Sequence, residues 1–149
     1  MVISEMAMAY SIEQLIESET TLPAHIVFDG FKYPEEKPFV TIEPMQRNNE
    51  QISKQRETIS TPFRYQIGLF AETFYKRSEY QAELREIFLY SELPYYNDNG
   101  VLTDAVFYFE PNFNEVPMTS GDISNETENH RMYFDIEIIV HTHKNKGRI

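Results

Sequence analysis

Residues 39–72 read FVTIEPMQRNNEQISKQRETISTPFRYQIGLFAE, two strand-like runs around a polar centre. The second run sets Phe63, Tyr65, Ile67 and Leu69 against Arg64, Gln66 and Gly68. Successive side chains of a strand point to opposite faces, so this alternation suits a strand with one face on a core. The first run is Phe39-Val40-Thr41-Ile42, and the two together form a β-hairpin. Between them stand Gln46, Arg47, Asn48, Asn49, Glu50, Gln51, Ser53, Lys54, Gln55, Arg56 and Glu57, with neither Gly nor Pro. That segment is no tight turn, and it is too polar to pack into its own core. It reads as an arm over 46–57 that touches another molecule.

A second alternation closes the chain. Over 131–143, Met132, Phe134, Ile136, Ile138 and Val140 form one apolar face, and Tyr133, Asp135, Glu137, Ile139 and His141 the other. Shorter strands are expected over 24–28, 39–42 and 102–110, with 58–70 as the long strand after the arm. Pro62 inside that long strand suggests a bulge or an edge position. Ser11-Ile12-Glu13-Gln14 and Ser78-Glu79-Tyr80-Gln81 have the form of capping boxes. The first opens a short helix over 11–19; the second opens a helix whose stripe is Tyr80, Leu84, Ile87 and Phe88. Asp29-Gly30 and Asn97-Asp98-Asn99-Gly100 mark turns, and 111–130 is loop-like. The Met- and Ala-rich residues 1–9 carry no clear signal.

The resulting order is α-β-β-β-α-β-β. The fold class is α+β: a mainly antiparallel twisted sheet, two helices on one face and a long polar hairpin arm. A length of 149 residues fits one domain over 1–149, with ends at 1–9 and 144–149 that are flexible or ordered by an interface.

Charge narrows the partners. Ahead of Lys144 the chain holds ten Lys and Arg against all 24 Asp and Glu, a net of −14, while Lys144, Lys146 and Arg148 crowd the last six residues. Such a body repels phosphates and does not read as a binder of DNA or of anionic membranes. No basic region followed by an apolar run opens the chain, and no apolar stretch approaches the roughly 20 residues that cross a bilayer. The absence of cysteine removes disulfides, thiolate metal sites and cysteine nucleophiles, and it fits a reducing compartment or a virion.

Chemistry finds little purchase. His141 and His143 share a strand face, and Glu137 or Asp135 lies on the same face, so a metal site is conceivable; a solvated strand face is the plainer reading. His25 and His130 are isolated. Ser53, Ser60 and Ser78 lack a nucleophile-elbow context, and five glycines form no phosphate-cradling loop. The expectation is no enzyme, no catalytic residue, no metal and no cofactor. Aromatic residues make up 14% of the chain. Tyr75, Tyr80, Tyr90, Tyr95 and Tyr96 cannot all be interior, and tyrosine is common at protein interfaces.

The element order over 11–143 resembles the tail terminator, or tail completion, proteins of long-tailed bacteriophages. The strings Ile42-Glu43-Pro44-Met45-Gln46-Arg47-Asn48-Asn49-Glu50 and Arg64-Tyr65-Gln66-Ile67-Gly68-Leu69-Phe70-Ala71 are similar to minor structural proteins of siphophages. The resemblance implies a virion structural protein that assembles as a homo-hexameric ring. The ring caps the tail tube, joins it to the head–tail connector and lets DNA pass without specific binding. It implies that the arm reaches a neighbouring subunit, the tube or the lumen. The loop 111–130 and the tail 143–149, with Lys144, Lys146 and Arg148, would meet another protein. A head-side stopper or adaptor and an acidic DNA-mimic inhibitor are the rival readings.

Overall fold

The two alternating runs find each other. A computed structural model describes residues 2–45, 50–51, 58–117 and 130–143, with the backbone alone at 50, 51, 58, 142 and 143. Its elements are α1 (Glu5–Glu19), β1 (Ala24–Ile26), β2 (Phe39–Pro44), β3 (Glu50–Gln51) and β4 (Thr58–Ala71). After them come α2 (Phe74–Tyr90), β5 (Glu92–Tyr96), β6 (Leu102–Tyr108), β7 (Asn114–Pro117) and β8 (His130–His143). β4 and β8 are 14 residues each and pair antiparallel without a break from Thr58↔His143 to Ala71↔His130.

The main sheet runs β1-β2-β4-β8-β7, and β3 joins β4 beyond the end of β2. β1 lies parallel to β2; every other pair is antiparallel. β5 and β6 form a separate two-stranded sheet. The class is therefore α+β with a mostly antiparallel sheet.

One face of the main sheet is the core. Phe63, Tyr65, Ile67 and Leu69 of β4 and Met132, Phe134, Ile136, Ile138 and Val140 of β8 are buried there. Onto them pack Met8, Ile12, Leu15 and Ile16 of α1, Leu84, Ile87 and Phe88 of α2, and Leu93 and Tyr95 of β5. Both helices thus lie on one face, because each carries a single apolar stripe and the sheet offers one apolar side. Phe88 gathers the aromatic centre, with Phe109 at 5.0 Å and Phe134 at 5.2 Å between ring centroids.

Local expectations need correction at both helix starts. α1 begins at Glu5, not at 11: Ser4 is the cap and its hydroxyl accepts from the Ala7 amide. Ser11 is interior; its hydroxyl donates to the Ala7 carbonyl and accepts from the Tyr96 amide, tying α1 to β5. Residues 1–9 therefore do carry structure, burying Ala7, Met8 and Ala9. α2 begins at Phe74 because Thr73 accepts from the Lys76 amide, five residues ahead of the Ser78 box. Three short strands, β3, β5 and β7, were not legible, and β1 ends at Ile26.

Ile136 is 2% exposed at the centre of β8, opposite Tyr65. Ile136→Asp places a carboxylate among apolar neighbours and costs on the order of 4–5 kcal/mol, comparable to the stability of a domain. Circular dichroism should show an unfolded or uncooperative chain; a cooperatively melting variant would mean that the core lies on the other face.

Candidate assembly interface

The residues singled out by sequence fall at the margins of what the structure describes. Gln46, Arg47, Asn48, Asn49, Lys54, Arg56, Lys144, Lys146 and Arg148 lie outside the described residues. Glu50 and Gln51 form β3, whose backbone pairs with Ser60 and Ile59 of β4. The hairpin inferred from sequence is real: β2 and β4 are antiparallel neighbours from Phe39↔Phe70 to Pro44↔Tyr65, and β3 continues along β4. The register changes by one between Pro44↔Tyr65 and Glu50↔Ser60.

Backbone parity explains Pro62. The Met45 amide donates to the Arg64 carbonyl from the β2 side, and the Glu110 amide donates to the Glu137 carbonyl from the far side of β8. Arg64 and Glu137 are opposite each other, so in this pair both backbones point away from the β4–β8 seam. The orientation repeats every second residue, and Pro62 opposite Ile139 falls in the same phase. Its missing N–H is not one the seam uses. Pro62 is thus neither at an edge nor at a break in the β4–β8 ladder; the register change lies on the other side of β4.

Of the two paired histidines, His141 is exposed and its Nδ1 lies 3.0 Å from the hydroxyl of buried Ser60. That contact fastens the arm end of β4 to β8. No cluster of three or more metal-ligating side chains occurs among the described residues.

The outer face of the sheet divides in two. Toward the β1 end, Phe39 and Phe70 stack at 4.7 Å, and Phe31 and Tyr33 from the loop after β1 fold over them. Phe28 and Tyr33 remain exposed, and the Arg131 guanidinium lies 6.0 Å from the Phe70 ring centre. Gly68 makes this layer possible. A Cβ there would stand 2.5 Å from Thr41 Oγ1 and 3.1 Å from the rings of Phe70 and Tyr133. Toward the arm the face is polar. Arg64 Nε donates to Glu137 at 2.6 Å, and a groove of about 480 Å3 runs past Met45, Gln66, Glu110 and Asp135.

β7 is held by one ion pair. Arg85 of α2 donates Nε and a terminal nitrogen to the two oxygens of Glu115, both at 2.8 Å, and Gln81 adds a third bond at 2.9 Å. The Arg85 guanidinium holds the Glu115 carboxyl below the ordinary carboxylate range. On the small sheet, Leu102, Asp104, Val106 and Tyr108 are the exposed residues of one β6 face, with acidic Glu92 opposite Tyr108.

Of the five tyrosines that cannot all be interior, Tyr75 and Tyr90 are exposed, Tyr80 and Tyr96 are half-buried and Tyr95 is fully buried. Sequence reasoning missed the outer aromatic layer, whose members come from β2, β4, β8 and the 27–38 loop. Its one visible signal was the density of Phe and Tyr over 28–39. No protein-family model matches the chain, and no curated protein matches it significantly.

Gly68→Ala overpacks the outer layer and should cost about 1–3 kcal/mol in chemical denaturation. Adding Thr41→Ala removes the nearest obstacle and should recover part of that loss; no recovery would mean that the rings of Phe70 and Tyr133, not Thr41, set the limit. The Arg85–Glu115 pair is partly exposed, so a double-mutant cycle should give about 0.5–1 kcal/mol at neutral pH. Because the Glu115 pKa is depressed, the coupling is present above the ordinary carboxylate range and is lost as pH falls through the lowered value. A cycle unchanged in acid would show that the pair contributes no charge-dependent stability.

Proposed function

We propose that this chain is a bacteriophage virion structural protein of the tail terminator kind, acting as a ring that caps the tail tube and joins it to the head connector. The observation that carries the reading is the β4–β8 ladder of 14 pairs, flanked by β3, which supports the arm on which the resemblance was founded. A long two-stranded base carries the polar segment 46–57 that would reach a neighbour. The exposed β6 face of Leu102, Asp104, Val106 and Tyr108 and the exposed aromatics Phe28 and Tyr33 offer further contact surface.

Charge fits the passage of DNA. A body at −14 offers phosphates no hold, so a lumen lined by it lets the duplex slide. A closed ring uses two different patches per subunit; the segment 46–57 would supply one and the exposed Phe28 and Tyr33 the other.

Native mass spectrometry with negative-stain imaging tests the proposal. The expected species is a closed six-fold ring near 106 kDa, six times the 17.6 kDa chain, formed alone or with tail-tube protein. Removing residues 48–55 takes away β3, should leave the rest of the sheet intact and should abolish the ring; rings that survive the deletion would sink the arm's role. A chain that stays monomeric with both tube and connector proteins present would overturn the reading.

A further inference from the structure

The outer side of β8 runs past its partner. β7 covers it from Met132 to Asp135, and Glu110 takes the outward carbonyl of Glu137. By the same two-residue period, the next outward backbone groups belong to Ile139 and His141. No described residue bonds to those groups, while β4 holds the strand from its other side. Two N–H and two C=O groups therefore stand ready in strand geometry.

The outermost strands of the sheet are guarded, as natural sheet edges usually are. β1 has three residues, and its Ala24 amide is occupied by the Glu17 carboxylate at 3.0 Å. β7 has four residues and ends in Pro117. The run Ile138-Ile139-Val140-His141 has none of these devices: no Pro, no charged side chain and no bulge against β4. An unguarded edge of this kind is a template for strand addition.

We propose that this edge is completed by an extended strand of a second copy of this chain, paired beside Ile139 and His141. The inference rests on the reading of the chain as a self-assembling structural protein, and it names the contact through which copies meet. Charge selects the occupant. No carboxylate occurs in 138–149, and Lys144, Lys146 and Arg148 follow the edge, whereas the first 143 residues carry −14. That cationic stretch draws the acidic body of another copy. Nucleic acid, the other acidic polymer, has no strand backbone to complete a ladder.

Amide hydrogen exchange on the full chain, dilute and concentrated, tests the pairing. The Val140 amide, directed at β4, should be protected in both states. The Ile139 and His141 amides should exchange freely when dilute and slow by about tenfold or more on self-association. Ile139→Pro removes one outward N–H and, like Pro62 opposite it, spares the β4 ladder; it should weaken association by about tenfold. Should that variant misfold, exchange in the unmodified chain still decides. Six-fold rings in which Ile139 and His141 exchange freely would overturn the edge contact and leave the ring reading standing. Protection on association into something other than a ring would support the edge contact and count against the ring. Free exchange at every concentration, or protection only by a different protein, would overturn a second copy as occupant.

Discussion

The ladder between β4 and β8 is the constraint on which the rest of the structure depends. Its partners lie far apart in sequence, from Ala71↔His130 to Thr58↔His143, so the chain closes loops of some 60 to 85 residues to form it. Loop closure grows only slowly with length, but it must be met before the long-range pairs return anything. Everything between the two strands, α2 with β5, β6 and β7, is folded back over a seam whose second half arrives last. β7 then docks on the outer side of β8 and is clamped to α2 by Arg85 and Glu115. Removing the seam would leave β2, β7 and both helices without a common surface.

Because the seam alternates, it produces two faces with different fates. The inner face takes branched aliphatics with Phe63, Tyr65, Met132 and Phe134, and both helices cover it. The outer face keeps polar residues toward the arm and aromatic residues at the opposite end. There, Gly68 removes a side chain where Thr41, Phe70 and Tyr133 converge, and the loop after β1 brings Phe31 and Tyr33 over the gap. An antiparallel sheet with one face solvated needs no such cover. The aromatic layer stiffens one end of the sheet, leaving the arm end as the polar one.

What could be read from sequence follows the range of the physics involved. The long strands were legible because a period of two sustained over Phe63–Leu69 and Met132–Val140 has few alternatives. Turns at Asp29-Gly30 and Asn97–Gly100 were legible because Gly30 and Gly100 take positive φ. Helix starts were not, because Ser11 and Ser78 match the cap pattern as well as Ser4 and Thr73 do, and only packing decides between them. Met8 and Ala9 gave no amphipathic signal although both are fully buried. The parallel pairing of β1 with β2 departs from the expected antiparallel pairing, since the 12 residues 27–38 allow the chain to return to the same end of the sheet. Parity at Pro62, the outer aromatic layer and the open edge of β8 depend on partners distant in sequence, so no local pattern encodes them. The polar arm and the basic tail were legible as composition alone, and apart from Glu50 and Gln51 they lie outside the described residues.

Electrostatics limits where copies of such a chain can approach. Two bodies at −14 repel over a Debye length of about 8 Å at physiological salt, so long-range attraction must come from elsewhere. The one concentration of positive charge, Lys144, Lys146 and Arg148, immediately follows the strand whose backbone is left open. That strand presents Ile139 and His141 with no carboxylate from 138 onward. There, no Asp or Glu follows Glu137 in the sequence, and no described residue bonds to the outward backbone of Ile139 and His141. Long-range attraction and short-range pairing thus select the same end of the sheet. A strand arriving there would meet backbone donors and acceptors already held in register by β4, so the ordering of that edge precedes association.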